Sequence, residues 1–369
     1  MMRLSKYQGR VGLQQRVLPA YRVPFFDHLA EACEGQLSVY AGSPRSVEAI
    51  SPAHVLHVGH FHHGRNLHLF QAPFYLCWQT DLMSWLRDWD PDALIMEANP
   101  RYPASRKAIV WMHARNRPVL GWGLGAPDLR GVLGSARGWF RRRFVSRFDV
   151  LIAYSERGAE EYAALGFPPE RIVVAANAVA PPPRSKPERP PLVGRPPHLI
   201  FVGRLQARKR VDLLLRACAE LKTKLKITIV GDGPERVALE ALATEIYPEV
   251  YFSGPLFGQD LQEALAQADL FVLPGTGGLA VQQAMASGLP VIVARGDGTQ
   301  EDLVSGGNGW LIPPDDVGAL VNALQLALEA PEQLEQMGTR SYNLTVERFN
   351  IQSMRDQFVR ALVLAQEVM

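Results

Sequence analysis

At 369 residues the chain is long enough for two or three domains and too long for a disulfide-stapled miniprotein. Apolar residues make up 47% and charged residues 21%, which excludes wholesale disorder, and Cys33, Cys77 and Cys218 stand at no metal-ligand spacing, as expected of reduced thiols in a cytosol. The net charge of +2 is unevenly divided: residues 1–180 carry 21 Lys and Arg against 15 Asp and Glu, the remainder 18 against 22, so any attraction to an anionic surface is expected from the first half.

The opening, MMRLSKYQGRVGLQQR, has no apolar run behind its charges to serve as a signal peptide, and no later run has the length of a membrane span, so a cytoplasmic location is expected. Next comes HVLHVGHFHHGRNLH, which holds six of the nine histidines, at 54, 57, 60, 62, 63 and 68. Their spacing fits no H-E-x-x-H or zinc-finger pattern, so no metal is expected and the segment reads as a wet loop. Ala93–Met96, Val119–Trp122, Val150–Ala153 and Ile172–Ala175 are short apolar runs between amphipathic stretches, the rhythm of parallel strands joined by helices. Within this part, residues 137–147 interleave five arginines with Trp139, Phe140 and Phe144. That composition suits a helix resting on anionic lipid, at the inner face of a membrane; the alternative is a surface helix whose aromatics pack inward.

From Ala180 to His198 eight prolines bar both helix and central strand. The expected organisation is therefore an N-terminal Rossmann-like domain at 1–180, a linker at 181–197, a second Rossmann-like domain at 198–347 and a terminal helical segment at 348–369. In the second domain, strands are expected at His198–Val202, Lys226–Val230, Val250–Phe252, Leu270–Leu273, Val291–Ala294 and Trp310–Ile312, with a largely buried helix over Val211–Lys222. Two doubly wound α/β sheets of this kind leave a cleft at the carboxyl ends of their strands.

Three loops of the second domain suit a diphosphate. After His198–Val202, Gly203 is followed by Arg204, whose guanidinium can fork two phosphate oxygens, and by Lys209 as a second point charge. In Ile229-Val-Gly-Asp-Gly-Pro234, Gly231 and Gly233 permit close backbone approach. In the third loop, Leu273-Pro-Gly-Thr-Gly-Gly leads into a helix expected from Leu279 to Ser287, whose free N–H groups near Gly277 and Gly278 favour an anion. Gln282 or Gln283, one turn inside, is placed to meet hydroxyl groups.

Taken in order, FVGRLQARKRVDLLL, IVGDGP, VYFSGPL, PGTGGLAVQQAMASGLPVIV and GTQEDLVSGGNGWLIPPDD resemble the C-terminal half of family 4 glycosyltransferases of the GT-B fold; VLPAYRVPFFDHLA and EANPR resemble N-terminal domains of bacterial members. The resemblance implies that the second domain binds a nucleotide sugar, UDP- or GDP-linked, and that the first binds a carbohydrate or lipid-linked acceptor. It also implies transfer with retention of anomeric configuration, no obligatory metal or other cofactor, and a terminal helix crossing back to the first domain.

Residue by residue, Arg204 and Lys209 match the family's diphosphate grip. Thr276, Gly277, Gly278 and Leu279 match the loop that meets the donor phosphate and sugar, while Gly203, Gly231, Gly233, Pro255 and Leu256 fall at the other donor-binding turns. The family's glutamate pair, eight residues apart, falls on Gly275 and Gln283, of which Gln283 keeps an acceptor oxygen for ribose hydroxyls. Trp122-Gly-Leu-Gly125 resembles the family's Trp-Gly-His-Gly loop with Leu124 in the histidine's place. The leaving phosphate can take the acceptor proton, and His60, His62 or His63 is then the expected group orienting the acceptor hydroxyl. The rival readings are a non-catalytic sugar-nucleotide-binding subunit and a nucleotide-sugar epimerase. Nucleic acid is not an expected partner, since net charge is small and no binding motif is present.

Overall fold

The computed structural model describes residues 6–48, 50–71, 74–126, 134–189, 191–192 and 194–369, with the backbone alone at 134–137. The chain divides into two compact units, Met1–Pro181 with Ile351–Met369, and Pro182–Asn350.

The first unit is built on nine strands: β1 (Val11–Gln14), β2 (Leu37–Ala41), β3 (His60–His63), β4 (Asn66–Leu69), β5 (Leu76–Gln79), β6 (Ala93–Glu97), β7 (Val119–Gly123), β8 (Val150–Ala153) and β9 (Ile172–Val174). Seven form a parallel sheet in the order β3-β2-β1-β6-β7-β8-β9, and β4 and β5 make a separate antiparallel pair. The central strands are mostly apolar because both faces are covered, with Gln14 and Glu97 at the carboxyl ends of β1 and β6. Ala93 and Ile95 of β6 join one core cluster and Leu94 and Met96 the other. Helix α1 (Val23–Ala32) lies on the first face, and α2 (Leu82–Trp89), α3 (Ala104–His113), α4 (Gly134–Val145) and α5 (Glu156–Ala164) complete the alternation.

The histidine-rich segment is a loop only in part, at residues 54–59 with His54 and His57. His60–His63 pairs in parallel with β2, as the outermost strand of the sheet, and residues 66–69 begin the β4–β5 hairpin. An edge strand with one side open to water needs no apolar run, so the composition that argued for a loop was compatible with a strand.

The second unit has a six-stranded parallel sheet made from β10 (His198–Val202), β11 (Lys226–Val230), β12 (Val250–Gly254), β13 (Leu270–Leu273), β14 (Val291–Ala294) and β15 (Gly309–Ile312), in the order β12-β11-β10-β13-β14-β15. Its helices are α6 (Val211–Glu220), α7 (Arg236–Ile246), α8 (Gly258–Gln267), α9 (Leu279–Ala286), α10 (Thr299–Leu303), α11 (Val317–Glu329) and α12 (Pro331–Glu347).

The proline-rich stretch is anchored to this unit by two arginines. Arg189 donates to the carbonyl oxygens of Ala268 and Gly288 at 2.8 and 3.0 Å. Arg195 forks the buried carboxylate of Asp269 at 2.7 and 2.6 Å. Asn350 ends α12 by donating to the carbonyls of Thr345 and Val346, both at 2.9 Å. The last helix, α13 (Ile351–Glu367), then joins the first unit, where Phe358 meets Phe25 and Trp122 with ring centroids 5.0 Å apart in each pair.

Candidate active site

In the second unit, the loops after β10, β11 and β12 and one side chain of α9 enclose a cavity of about 790 Å³. Gly203, Arg204, Gly231, Gly233, Pro255, Leu256 and Gln283 line it, so the structure gathers here positions that are far apart in sequence. Asp232 and Pro234 of the same glycine turn, with Phe257 and Leu261 of the next loop and α8, also line it, although none was among the expected site residues.

Arg204 is exposed in this cavity, and its guanidinium has no hydrogen-bond or ion-pair partner among the described residues. A cation held without a partner beside glycine-rich backbone is suited to an incoming phosphate. Gln283 is exposed and reaches the cavity, whereas Gln282 is buried.

The glycines of the second loop have a structural reason beyond ligand approach. A Cβ at Gly231 would stand 1.9 Å from the carbonyl oxygen of Gly203, and one at Gly233 would stand 2.2 Å from that of Leu205. The two loops are pressed together, and the Leu205 N–H donates to the Asp232 carbonyl at 2.9 Å. Gly231 also holds φ of 137°, which disfavours any side chain.

Lys209 and the third loop form a second cluster at the edge of the first. The Lys209 ammonium donates to the Thr276 carbonyl at 2.7 Å, and the Thr276 N–H donates to the Arg208 carbonyl at 3.0 Å. A Cβ built at Gly203 would meet Lys209 Cε at 3.8 Å, which places the lysine stem against the cavity's first loop. Lys209 is 8% exposed, and burial, reinforced by the charge of Arg208, pulls its pKa down to about 8. Gly277 passes close to the ammonium: a Cβ there would lie 2.2 Å from Nζ. Gly278 starts α9 at Leu279 with no side chain capping its N–H groups.

Gly275, at the family's first glutamate position, is packed against backbone. A Cβ there would stand 2.3 Å from the Arg208 carbonyl oxygen and 2.5 Å from the carbonyl carbon of Lys209. Arg208, absent from the sequence-based set, thus braces the loop through its own backbone and through a 3.3 Å bond from its guanidinium to Thr276 Oγ1.

A different polar group collects at the carboxyl ends of β1, β6, β7 and β8 in the first unit. Glu97 accepts from the Arg16 N–H at 3.1 Å, and burial pushes its pKa up against the opposing pull of Arg16, Tyr102 and Arg22. Arg22 lies over the Trp122 ring at 5.0 Å and the Tyr154 ring at 5.7 Å. Its Nη1 and the Trp122 Nε1 are both buried without a hydrogen-bond partner. Leu124, in the histidine's place, is exposed.

His60 and His62 lie on β3 instead of in this group. His60 stands 5.0 Å from the Trp89 ring, while His62 stacks on Tyr40 at 5.6 Å with its Nε2 3.6 Å from Asp81. Among the described residues no three His, Cys, Asp or Glu side chains are placed to hold a metal ion.

Comparison with known proteins matches this layout. A family model described as a glycosyl transferase 4-like domain covers residues 5–178, and one described as glycosyl transferases group 1 covers residues 196–330. A putative colanic acid biosynthesis glycosyltransferase, WcaL, of Salmonella typhimurium is 29% identical over 58% of this chain and 57% of its own. A GDP-mannose-dependent alpha-mannosyltransferase of Mycobacterium tuberculosis is 36% identical over 38% of this chain and 37% of its own. The matched segments thus span less than two thirds of these curated relatives. The crystal structure of Anabaena HepE in complex with UDP superposes with a TM-score of 0.71, covering 96% of this chain and 99% of that one at 17% identity, a likeness of fold. The two models together account for both units, and the chain belongs to the family 4 glycosyltransferases of the GT-B fold.

Proposed function

We propose that the protein is a retaining glycosyltransferase that moves a sugar from a nucleoside-diphosphate sugar to a carbohydrate or lipid-linked acceptor without a metal ion. The observation that carries this is the Arg204 guanidinium, unpaired among the described residues, in a cavity of about 790 Å³ walled by Gly203, Gly231 and Gly233. Arg204, Lys209 and the uncapped start of α9 supply positive potential fixed before reaction, where negative charge grows as the sugar–phosphate bond loosens. The departing phosphate accepts the acceptor proton, so the absence of a carboxylate at Gly275 does not halt the chemistry. UDP in the HepE structure and GDP-mannose in the mannosyltransferase's name support a UDP- or GDP-linked donor. The colanic acid biosynthesis relative supports polysaccharide biosynthesis as the setting, with a carbohydrate or lipid-linked acceptor. A cytoplasmic site of action is part of the same proposal, and the three buried free cysteines suit it.

A thermal-shift series with UDP, GDP and ADP and their sugars tests the donor site, because a ligand bound to the folded state alone raises its melting temperature. One diphosphate should raise Tm, and both Arg204→Ala and Lys209→Ala should abolish the rise; no response to any of them would refute the donor site.

The packing of Gly275 onto Arg208 and Lys209 favours a second reading, a donor-binding subunit that does not turn over. Donor binding with neither transfer nor donor hydrolysis across several acceptors would select that reading.

A further inference from the structure

Arg22 is a buried cation without a counter-ion. It is 9% exposed, and no carboxylate pairs with its guanidinium among the described residues. Its Nη2 reaches the Tyr154 hydroxyl only at 3.4 Å, and its Nη1 meets no acceptor. The faces of the guanidinium rest on rings, with its carbon 5.0 Å from the Trp122 centroid and 5.7 Å from that of Tyr154. Stacking occupies those faces but not the N–H groups, which point outward in the guanidinium plane.

Trp122 repeats the pattern: it is 1% exposed, and its Nε1–H has no acceptor. Arg22 also stands in the capping position of α1, a ten-residue helix whose first N–H groups no side chain caps, so the positive end of the helix dipole falls at the same residue. Glu97 does not answer this positive charge. It is paired with Trp122 in the strand register, and the alternation that puts Ala93, Ile95 and Trp122 in the core beneath α1 puts Glu97 on that face as well. Its carboxyl, however, accepts from the Arg16 N–H at 3.1 Å, and burial raises its pKa, which favours the neutral form.

Two buried donors, one of them charged, are costly to leave unpaired. A water molecule would satisfy a donor but not the charge; an oxyanion does both, since two of its oxygens can accept from the guanidinium and the indole together. The cluster stands at the carboxyl ends of β6, β7 and β8, the end at which open α/β sheets take ligands. Tyr21, with its ring 6.0 Å from the guanidinium carbon, and Leu124, two residues beyond Trp122, are 51% and 52% exposed, so the cluster lies directly beneath the surface.

We propose that this cluster seats an oxyanion of the acceptor, a sugar carboxylate or a sugar phosphate, on Arg22 Nη1, Trp122 Nε1 and the start of α1, so that the protein takes acidic acceptors in preference to neutral ones. The proposal rests on the transfer reading only in calling the ligand an acceptor. The donor diphosphate has Arg204 and Lys209 in the second unit, which leaves the cation of the first unit to another anion.

The test follows the Trp122 indole N–H by nitrogen-15 NMR of the full chain, its signal assigned among the seven tryptophans by Trp122→Phe. Glucuronate, galacturonate, glucose 1-phosphate and galactose 1-phosphate are titrated beside glucose, galactose and inorganic phosphate. At least one acidic sugar should move the signal while its neutral parent does not, and the comparison of uronates with sugar phosphates identifies the source of the oxyanion. Arg22→Met should weaken that binding at least tenfold and Arg22→Lys severalfold, with UDP binding unchanged in both. The unfolding transition checks that each variant is folded; if Arg22→Met does not fold, Arg22→Lys and the comparison of acidic with neutral sugars decide. No response to any acidic sugar, equal response to the neutral parents, or unaltered binding by folded Arg22→Met would each overturn the proposal. Inorganic phosphate binding as tightly as the sugar acids would overturn the acceptor assignment, and a tenfold loss of UDP affinity in Arg22→Met would give the cation to the donor instead. Acidic-sugar binding in a protein that does not bind UDP would refute the donor site and leave this seat standing.

Discussion

The Lys209 ammonium and the Thr276 carbonyl oxygen are 2.7 Å apart, so the lysine that the sequence assigns to the donor diphosphate also holds the loop that starts α9. Phosphate binding and loop position are therefore linked through one proton-bearing group.

That link predicts two opposite pH effects. Burial lowers Lys209 from 10.5 to about 8, so between those values the unfolded chain holds the extra proton and stability of the ligand-free protein rises with pH. The rise should be of the order of 2–3 kcal/mol and should vanish in Lys209→Met, read by chemical denaturation. Nucleotide affinity should move the other way, falling as pH passes about 8 and the ammonium is neutralised. An affinity that stays level through that range would remove Lys209 from the phosphate contacts.

The two positions that replace the family's glutamates should respond differently to restoration. Gln283→Glu places a carboxylate on an exposed site and should change Tm little. Gly275→Glu drives a Cβ to 2.3 Å from the Arg208 carbonyl and should lower Tm by several degrees and weaken UDP binding. A Gly275→Glu variant as stable as its parent, with tighter donor binding, would show that the loop opens to take the side chain.

In the first unit, Glu97→Gln should lower transfer about 10- to 100-fold while leaving the nucleotide-induced thermal shift unchanged. Its carboxyl is raised by burial, so activity should climb with pH on an acidic limb displaced above the usual carboxylate range. Rates measured at saturating donor separate this from any effect on donor binding. A loss confined to donor affinity would tie Glu97 to donor binding instead of the transfer step.

The carboxylate of Asp269 ties Arg195 and the His198 N–H together at the N-terminal ends of the central strands β10 and β13, at 2.6–2.8 Å. Asp269→Ala strands a partly buried guanidinium and should cost about 3–5 kcal/mol, measured by urea unfolding. Arg195→Ala leaves the more deeply buried carboxylate with one backbone donor in place of its cation, and should cost a similar amount.

The sequence revealed most where one residue type has one physical use. Apolar runs such as Val150–Ala153 and Val291–Ala294 are strands because both sheet faces are covered, and the glycine turn at 231–233 marks a close approach. The partner in that approach was not legible, because the carbonyls of Gly203 and Leu205 leave no trace in composition. Arg208 was missed for the same reason: its main contribution is a backbone oxygen. His60–His63 hid a strand, since polar side chains on an open edge carry no apolar period. The terminal helical segment expected from residue 348 begins as α13 at Ile351, where Asn350 closes α12 by bonding to carbonyls four and five residues back, a contact that composition does not show.

Helix α13 supplies Met354, Phe358 and Leu362 to the same apolar cluster as Phe25, Phe26 and Trp122. During synthesis the second unit leaves the ribosome before this helix does, so the first unit waits with one face uncovered while its neighbour folds. The interior segment can thus be complete first, and Phe25, Phe26 and Trp122 acquire their last partner only after residues 351–367 emerge. A nascent chain arrested after Asn350 should already bind nucleotide yet remain a substrate for chaperones through the exposed Phe25 and Trp122 surface.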